Sequence, residues 1–186
     1  SGAYAARPAW ASAVLSVAGC STVSPRASAR CFTALAAIVR PQMGAALADL
    51  DLALRGFQHP AASHDLHWNV ARAHQLAHLV DEIEGDAPRK LVRHFMDRFV
   101  TAILPHLATM RAQAIHNDFH LYNVLVAADD PCRVTGIIDF GDMCRHLRIV
   151  DLAITIVYAL QHVEEDKAVR ECIVDILKGY QSQHPL

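Results

Sequence analysis

Between Ala34 and Phe57 the apolar residues Leu35, Ile38, Met43, Leu47, Leu50 and Leu54 recur near helical spacing. The pattern predicts a helix interrupted at Pro41 and stopped at Gly56. Leu66 to Ile83 repeats it through Trp68, Val70, Leu76, Leu79 and Val80. A longer amphipathic run from Ala87 to Arg111 carries Leu91, Phe95, Phe99, Ile103, Leu107 and Met110. Pro105 should kink or break its last third, because proline lacks the helical N–H and its ring crowds the preceding turn. Two more helices are predicted, over Leu147–His162 and from Lys167 to Tyr180.

The period changes in one place. Val124-Leu125-Val126 and the run Val134 to Ile138 are short and rich in β-branched residues, and Asp129-Asp130-Pro131 lies between them as a polar turn. Val124–Ala127 and Val134–Ile138 are therefore expected to pair as an antiparallel hairpin. Many helices around one small hairpin make the fold class α+β. Ser1 to Arg40 is different: rich in Ala, Ser and Arg, broken by Pro8 and Pro25, and weakly periodic. Loop or poorly packed helix is expected there, with the folded domain over residues 41–186. Arg7, the stretch Ala9–Ala18 and Cys20 have the outline of a lipoprotein signal, but the basic region is thin and the apolar run short. The plainer reading is kept.

Composition narrows the class. A chain of 186 residues fits one domain with a sizeable core. Hydrophobic content of 53% with 19% charged residues is globular, and a net charge of −2 gives no reason to expect nucleic acid or an anionic membrane as partner. The five cysteines (Cys20, Cys31, Cys132, Cys144, Cys172) are odd in number, widely spaced and without a C-x-x-C pair. Reduced thiols in the cytoplasm are the expectation. No apolar run is long enough to span a membrane.

The candidate chemistry lies in His116-Asn117-Asp118-Phe119-His120-Leu121-Tyr122-Asn123 and in Ile137-Ile138-Asp139-Phe140-Gly141-Asp142. Phosphoryl transfer needs a carboxylate to take the acceptor hydroxyl proton, and oxygen donors to hold Mg²⁺ on the nucleotide phosphates. Asp118 suits the first task, Asn123 and Asp139 the second, and the hairpin is expected to bring the last two within reach of one ion. Duller roles exist for each. Asp118 could cap a turn, and Asn123 could merely hold one, although its amide oxygen is a good hard ligand. Asp139 ends an apolar strand, where a carboxylate costs burial free energy unless a cation or donor meets it; that favours a metal. Twelve histidines invite a zinc reading. His74 and His78 share a helix face at i, i+4, but the flanking residues lack the glutamate and third ligand of a zinc hydrolase, so core or surface histidines are the better account. Asp142, Glu164, Glu165, Asp166 and Glu171 could hold an ammonium group; a solvated charge run explains the last four more simply.

Both motifs resemble those of the aminoglycoside phosphotransferase and choline kinase group, which shares the protein-kinase C-lobe. His116–Val126, Gly136–Met143, Asp151–Tyr158 and Leu52–Pro60 most resemble the hydroxylysine kinase subgroup and similar bacterial phosphotransferase domains, some fused to class III aminotransferases. The likeness covers roughly residues 45–165. It implies a kinase that passes the γ-phosphate of ATP or GTP to a hydroxyl of a small amine or amino acid such as hydroxylysine. Asp118 would be the catalytic base, with Mg²⁺ on Asn123 and Asp139. His120 and Asp142 would lie near nucleotide or substrate; a turn cap is an equal reading of Asp142, and a solvated loop residue a nearly equal one of His120. The resemblance places His116 under the Asp139-Phe140-Gly141 turn and gives Asp151 the backbone N–H groups of the catalytic loop, both as structural support.

The same resemblance implies an N-lobe with a Gly-rich phosphate loop and a strand lysine paired with a helix glutamate. The only lysines here are Lys90, Lys167 and Lys178, no G-x-G-x-x-G occurs, and the chain runs from Ser1 to Leu186. The expectation is a truncated C-lobe from a longer enzyme, completed by a missing N-lobe and binding nucleotide weakly by itself. Two rival readings stand beside it. One is a catalytically inactive kinase-like remnant or binding module. The other is a metal-dependent hydrolase using the same carboxylates, which lacks a further His or Asp at ligand spacing.

Overall fold

A computed structural model describes residues 25–185 except His64, Asp65, His67, Pro131, His162 and Glu164, with side-chain burial described from Ile38 onward. The signal-like stretch before residue 25 lies outside the described residues.

Helix α1 spans Pro25–Ala53. It opens on a proline, tolerated at the first helical position because the N–H there has no intrahelical partner. Contrary to the expected interruption, it runs on through Pro41. It also crosses residue 40, where the sequence pattern put the domain's start, and both Val39 and Arg40 are buried. Packing explains the continuity. An internal proline costs a helix about 3 kcal/mol, while burying a Val, Met or Leu side chain returns about 1.5–3 kcal/mol each. Val39, Met43 and Leu47 are all at most 2% exposed. Their partner is α4, the C-terminal helix Asp166–Gln183. The two backbones touch at glycines on both sides. A Cβ on Gly44 would stand 2.1 Å from the Ile176 carbonyl oxygen, and one on Gly179 would stand 1.9 Å from that of Pro41.

The chain then leaves the core. Pro60–Ser63 and Val70–Glu82 are 3-10 helices, where the Leu66–Ile83 pattern promised an ordinary helix. Val80 is the one buried residue of Val70–Glu82, while Leu76 and Leu79 stay exposed. That stretch has no packed apolar face to enforce the α pitch. Helix α2, Asp86–Arg98, passes into a π turn at Phe99–Ile103 and a 3-10 segment at Leu104–Thr109 with Pro105 at its start. The break expected at Pro105 is present.

Four short strands follow: β1 Ala112–Ile115, β2 Val124–Val126, β3 Val134–Ile137 and β4 Cys144–Leu147. β2 and β3 form the expected antiparallel hairpin, Val124 opposite Ile137, with a register shift at Leu125/Val126. β1 and β4 form a second ladder, Ile115 opposite Cys144 and Ala112 opposite Leu147. Helix α3, Arg148–Leu160, starts at the end of β4. The mostly helical α+β class holds.

The main core joins α1, α3 and α4 through Val39, Met43, Leu47, Leu152, Cys172, Ile176 and Tyr180, and it also contains Phe119. Asp51, 1% exposed on α1, ties three elements together. It accepts the Tyr180 hydroxyl at 2.5 Å and the Gln113 side-chain N–H at 3.3 Å. Burial pushes its carboxyl upward, opposed by the Tyr180 hydrogen bond. No helix among the described residues is long and apolar enough to cross a membrane.

Candidate active site

The two ladders explain how the motif loops meet. Residues 116–123 connect β1 to β2, and residues 138–143 connect β3 to β4. Because β1 pairs with β4 and β2 with β3, both loops are clamped side by side at both ends. The Ile138 N–H donates to the Asn123 carbonyl at 2.9 Å, adding a rung beyond the hairpin and seating Asp139 one residue from Asn123's partner.

The first loop is fixed from beneath. The Asp151 carboxylate, fully buried in the first turn of α3, accepts the backbone N–H of His116 at 2.8 Å and of Asn117 at 2.7 Å. Desolvation raises its pKa to about 7 against the pull of these two donors. One turn on, on the same helix face, the Thr155 hydroxyl donates to the Phe119 carbonyl at 2.9 Å. The Phe119 ring is buried in the core. Asn117 is held at φ 66°, a left-handed conformation that asparagine tolerates better than most residues.

His116 links the two loops. Its Nδ1 accepts the Asp118 N–H at 3.3 Å, so the ring proton sits on Nε2, which donates to the Ile138 carbonyl at 3.0 Å. Burial holds its pKa below the ordinary histidine value, in keeping with this neutral form. The ring packs against Phe140 with centroids 4.7 Å apart, under the turn where the resemblance placed it.

Asp118 is partly open, with 26% of its side chain exposed. Its Oδ2 accepts the Asn123 amide N–H at 3.1 Å, and the same amide nitrogen donates to the Asp118 carbonyl at 2.9 Å. The His120 Nδ1 accepts the Tyr122 N–H at 3.2 Å, and its Nε2 lies 3.3 Å from Asp118 Oδ2 and 3.4 Å from the Asn123 amide nitrogen. Among the described residues Asp118 Oδ1 carries no hydrogen bond. His120 is not the exposed loop residue expected: only 12% of its side chain is accessible, and its ring lies against Tyr158 with centroids 4.4 Å apart.

Asp139 departs from the expectation in one respect. It is exposed rather than buried, so no burial penalty demands a cation. What sets it apart is its backbone, at φ 63° and ψ 65°, and its side chain caps nothing in the turn Phe140–Asp142 that it opens. A non-glycine residue held there stores about 1–2 kcal/mol of strain. Asp142 ends that turn, half-buried. His74 stacks on Phe99, and His78 bonds the Gln75 carbonyl. No cluster of three or more His, Cys, Asp or Glu suited to a metal occurs among the described residues.

Sequence reasoning did not find Thr155, Asp51 or strand β4. Thr155 had a local signal, its i+4 position after Asp151 on one helix face. The others had none.

Residues 20–185 match the phosphotransferase enzyme family. The chain belongs to that family. It is similar to the hydroxylysine kinase of Danio rerio, 31% identical over 124 residues that make up 63% of this chain and 35% of the relative. It is also similar to the hydroxylysine kinases of Mus musculus, 27% identical over 155 residues (78% of this chain, 40% of the relative), and of Xenopus laevis, 30% identical over 126 residues (64% and 33%). The chain thus spans 33 to 40% of the length of these relatives. No solved structure matches it.

Proposed function

We propose that this chain is the C-lobe of a cytoplasmic small-molecule kinase, which passes the γ-phosphate of ATP or GTP to the hydroxyl of a small amine or amino acid such as hydroxylysine. The observation that carries the reading is the state of Asp118. The Asn123 amide N–H holds one carboxylate oxygen, with the His120 Nε2 beside it at 3.3 Å, and the other oxygen is left for an acceptor hydroxyl. A base held in one orientation on a fixed loop is what a positioning-dominated reaction requires. Asp118 would align the hydroxyl and take its proton as the new O–P bond forms.

The donor set suits Mg²⁺. The Asn123 amide nitrogen is spent on Asp118, which leaves its oxygen as the outward donor, and the Asp139 carboxylate is exposed and caps nothing. A pair of hard oxygens without a larger protein cage fits an ion that keeps several waters and takes substrate phosphates as ligands. When bound there, Mg²⁺ would neutralise phosphate charge. Lys90, Lys167 and Lys178 belong to helices α2 and α4 and to neither loop, so on this reading the chain supplies the base and the metal oxygens but no loop lysine for the triphosphate. Calorimetry with Mg-ATP and Mg-GTP tests that division. Binding weaker than low micromolar is expected from this chain alone, and low-micromolar affinity would contradict it.

A further inference from the structure

Two guanidinium groups converge on one nitrogen of His184, a buried residue just past the end of α4. The His184 Nε2 lies 2.9 Å from an Arg55 nitrogen and 2.7 Å from an Arg148 nitrogen. A guanidinium can only donate, so Nε2 is the acceptor of both bonds. The ring proton sits on Nδ1, which donates to the Pro185 carbonyl at 2.8 Å. A neutral ring gives two like charges no counter-charge. Among the described residues neither arginine forms an ion pair, and neither does Arg111, whose carbonyl accepts the Arg148 N–H at 3.0 Å. The buried Asp51 carboxyl feels the Arg148 charge, but burial pushes it upward, and its oxygens accept Tyr180 and Gln113.

Arg111 and Arg148 both line a cavity of about 430 Å³, a volume usual for small-ligand sites. Thr109, Met110, Ile149, Leu152 and Tyr180 line the rest. Neither hydroxyl is a free donor: Thr109 donates to the His106 carbonyl at 2.8 Å, and Tyr180 to Asp51. What remains is apolar surface beside two arginines. The cavity is separate from the candidate active site. Arg111 precedes β1 and the catalytic loop follows it, so the four residues of the strand, about 13 Å of extended chain, lie between them. We infer that this cavity binds a small organic acid, with its carboxylate on Arg111 and Arg148 and its apolar body on Met110, Ile149 and Leu152. The planar guanidinium fork matches a carboxylate in geometry as well as charge. Burying the body against the aliphatic lining adds hydrophobic stabilisation that a bare inorganic anion cannot gain. Nothing in this site depends on phosphoryl transfer.

Calorimetry on the full chain tests the inference with phenylacetate, phenylacetamide, inorganic phosphate and Mg-ADP as probes. Phenylacetate should bind saturably and about tenfold more tightly than phenylacetamide, the scale of a hydrogen bond to a charged group. Inorganic phosphate, which has the charge without the body, should also bind more weakly. Arg111→Gln, at an exposed position, should bring acid and amide together while the melting temperature stays unchanged. Arg145→Gln, at an exposed position on β4 outside the cavity, should keep the full preference. Mg-ADP should not displace phenylacetate. No saturable binding of phenylacetate, equal binding of acid and amide, or a preference that survives in Arg111→Gln would overturn the inference. So would an equal loss in Arg145→Gln, which would mean diffuse charge attraction. Phosphate binding as tightly as phenylacetate would assign the arginines to an inorganic anion, and displacement by Mg-ADP would assign the acid to the nucleotide site; either result overturns it.

Discussion

Oδ1 of Asp151 lies 2.7 Å from the backbone nitrogen of Asn117, a residue held in the left-handed region at φ 66°. A carboxylate on α3 thus braces the unfavourable turn just before Asp118. Its second oxygen holds the preceding residue, His116. The candidate base is positioned through Asn117, which lies 34 residues from Asp151 in sequence, and the two roles, bracing and chemistry, should separate under mutation.

Asp151→Asn should destabilise the protein by about 1–3 kcal/mol, because an amide N–H would face a backbone N–H and leave a buried donor unmet. Thr155→Val should cost about 0.5–1.5 kcal/mol through the lost bond to Phe119. Chemical denaturation of each variant checks both. Losses within error of zero would remove Asp151 and Thr155 from the loop's support.

Stability should depend on pH with opposite signs at two neighbouring groups. The Asp151 carboxyl is raised from 3.8 to about 7, so the folded state binds the extra proton; its contribution is largest below pH 3.8 and declines as pH rises toward 7. The melting-temperature gap between the wild type and Asp151→Asn should therefore widen as pH falls through that window. His116 is held below 6.5, so its contribution is complete above pH 6.5 and is lost as pH falls below it. His116→Gln should flatten that acid-side loss. A gap that narrows on acidification, or an unchanged slope in His116→Gln, would contradict these assignments.

The α1–α4 crossing should not accept a methyl group. At Gly44 and Gly179 a Cβ would fall 2.1 and 1.9 Å from backbone oxygens, which cannot rotate away. Gly179→Ala and Gly44→Ala should each cost at least about 1–3 kcal/mol, the range for overpacking. Gly56 has φ 83° with nothing near its missing Cβ. Alanine there would be strained by the backbone alone and should cost less. Equal effects at all three positions would mean the helices yield.

Much of the site was legible because its signals are local. Asp118, Asn123 and Asp139 stand at fixed spacings beside β-branched runs, and those runs do pair. Helices α3 and α4 follow their apolar period to within a few residues. Strand β4 could not be read: Cys144-Arg145-His146-Leu147 has no β-branched residue and is extended because β1 lies beside it. Asp51 looks like any helical aspartate until Tyr180, 129 residues on, closes over it. The segment before residue 41 looked loosely packed because its alanines and serines carry little periodicity. Glycines on α1 and α4 nevertheless let the helices approach closely enough to bury Val39 and Arg40.

Phosphoryl transfer from Mg-ATP or Mg-GTP to 5-hydroxylysine, measured in single turnover on the protein that carries this chain, tests the central claim most directly when wild type and Asp118→Asn are compared. Removing a general base should slow transfer by about 10²–10⁴-fold. Nucleotide affinity and melting temperature should stay near the wild-type values, since Asp118 acts on the acceptor and is partly exposed. Transfer at an undiminished rate in Asp118→Asn, or a loss that only tracks falling stability, would contradict a phosphotransferase site built on this loop.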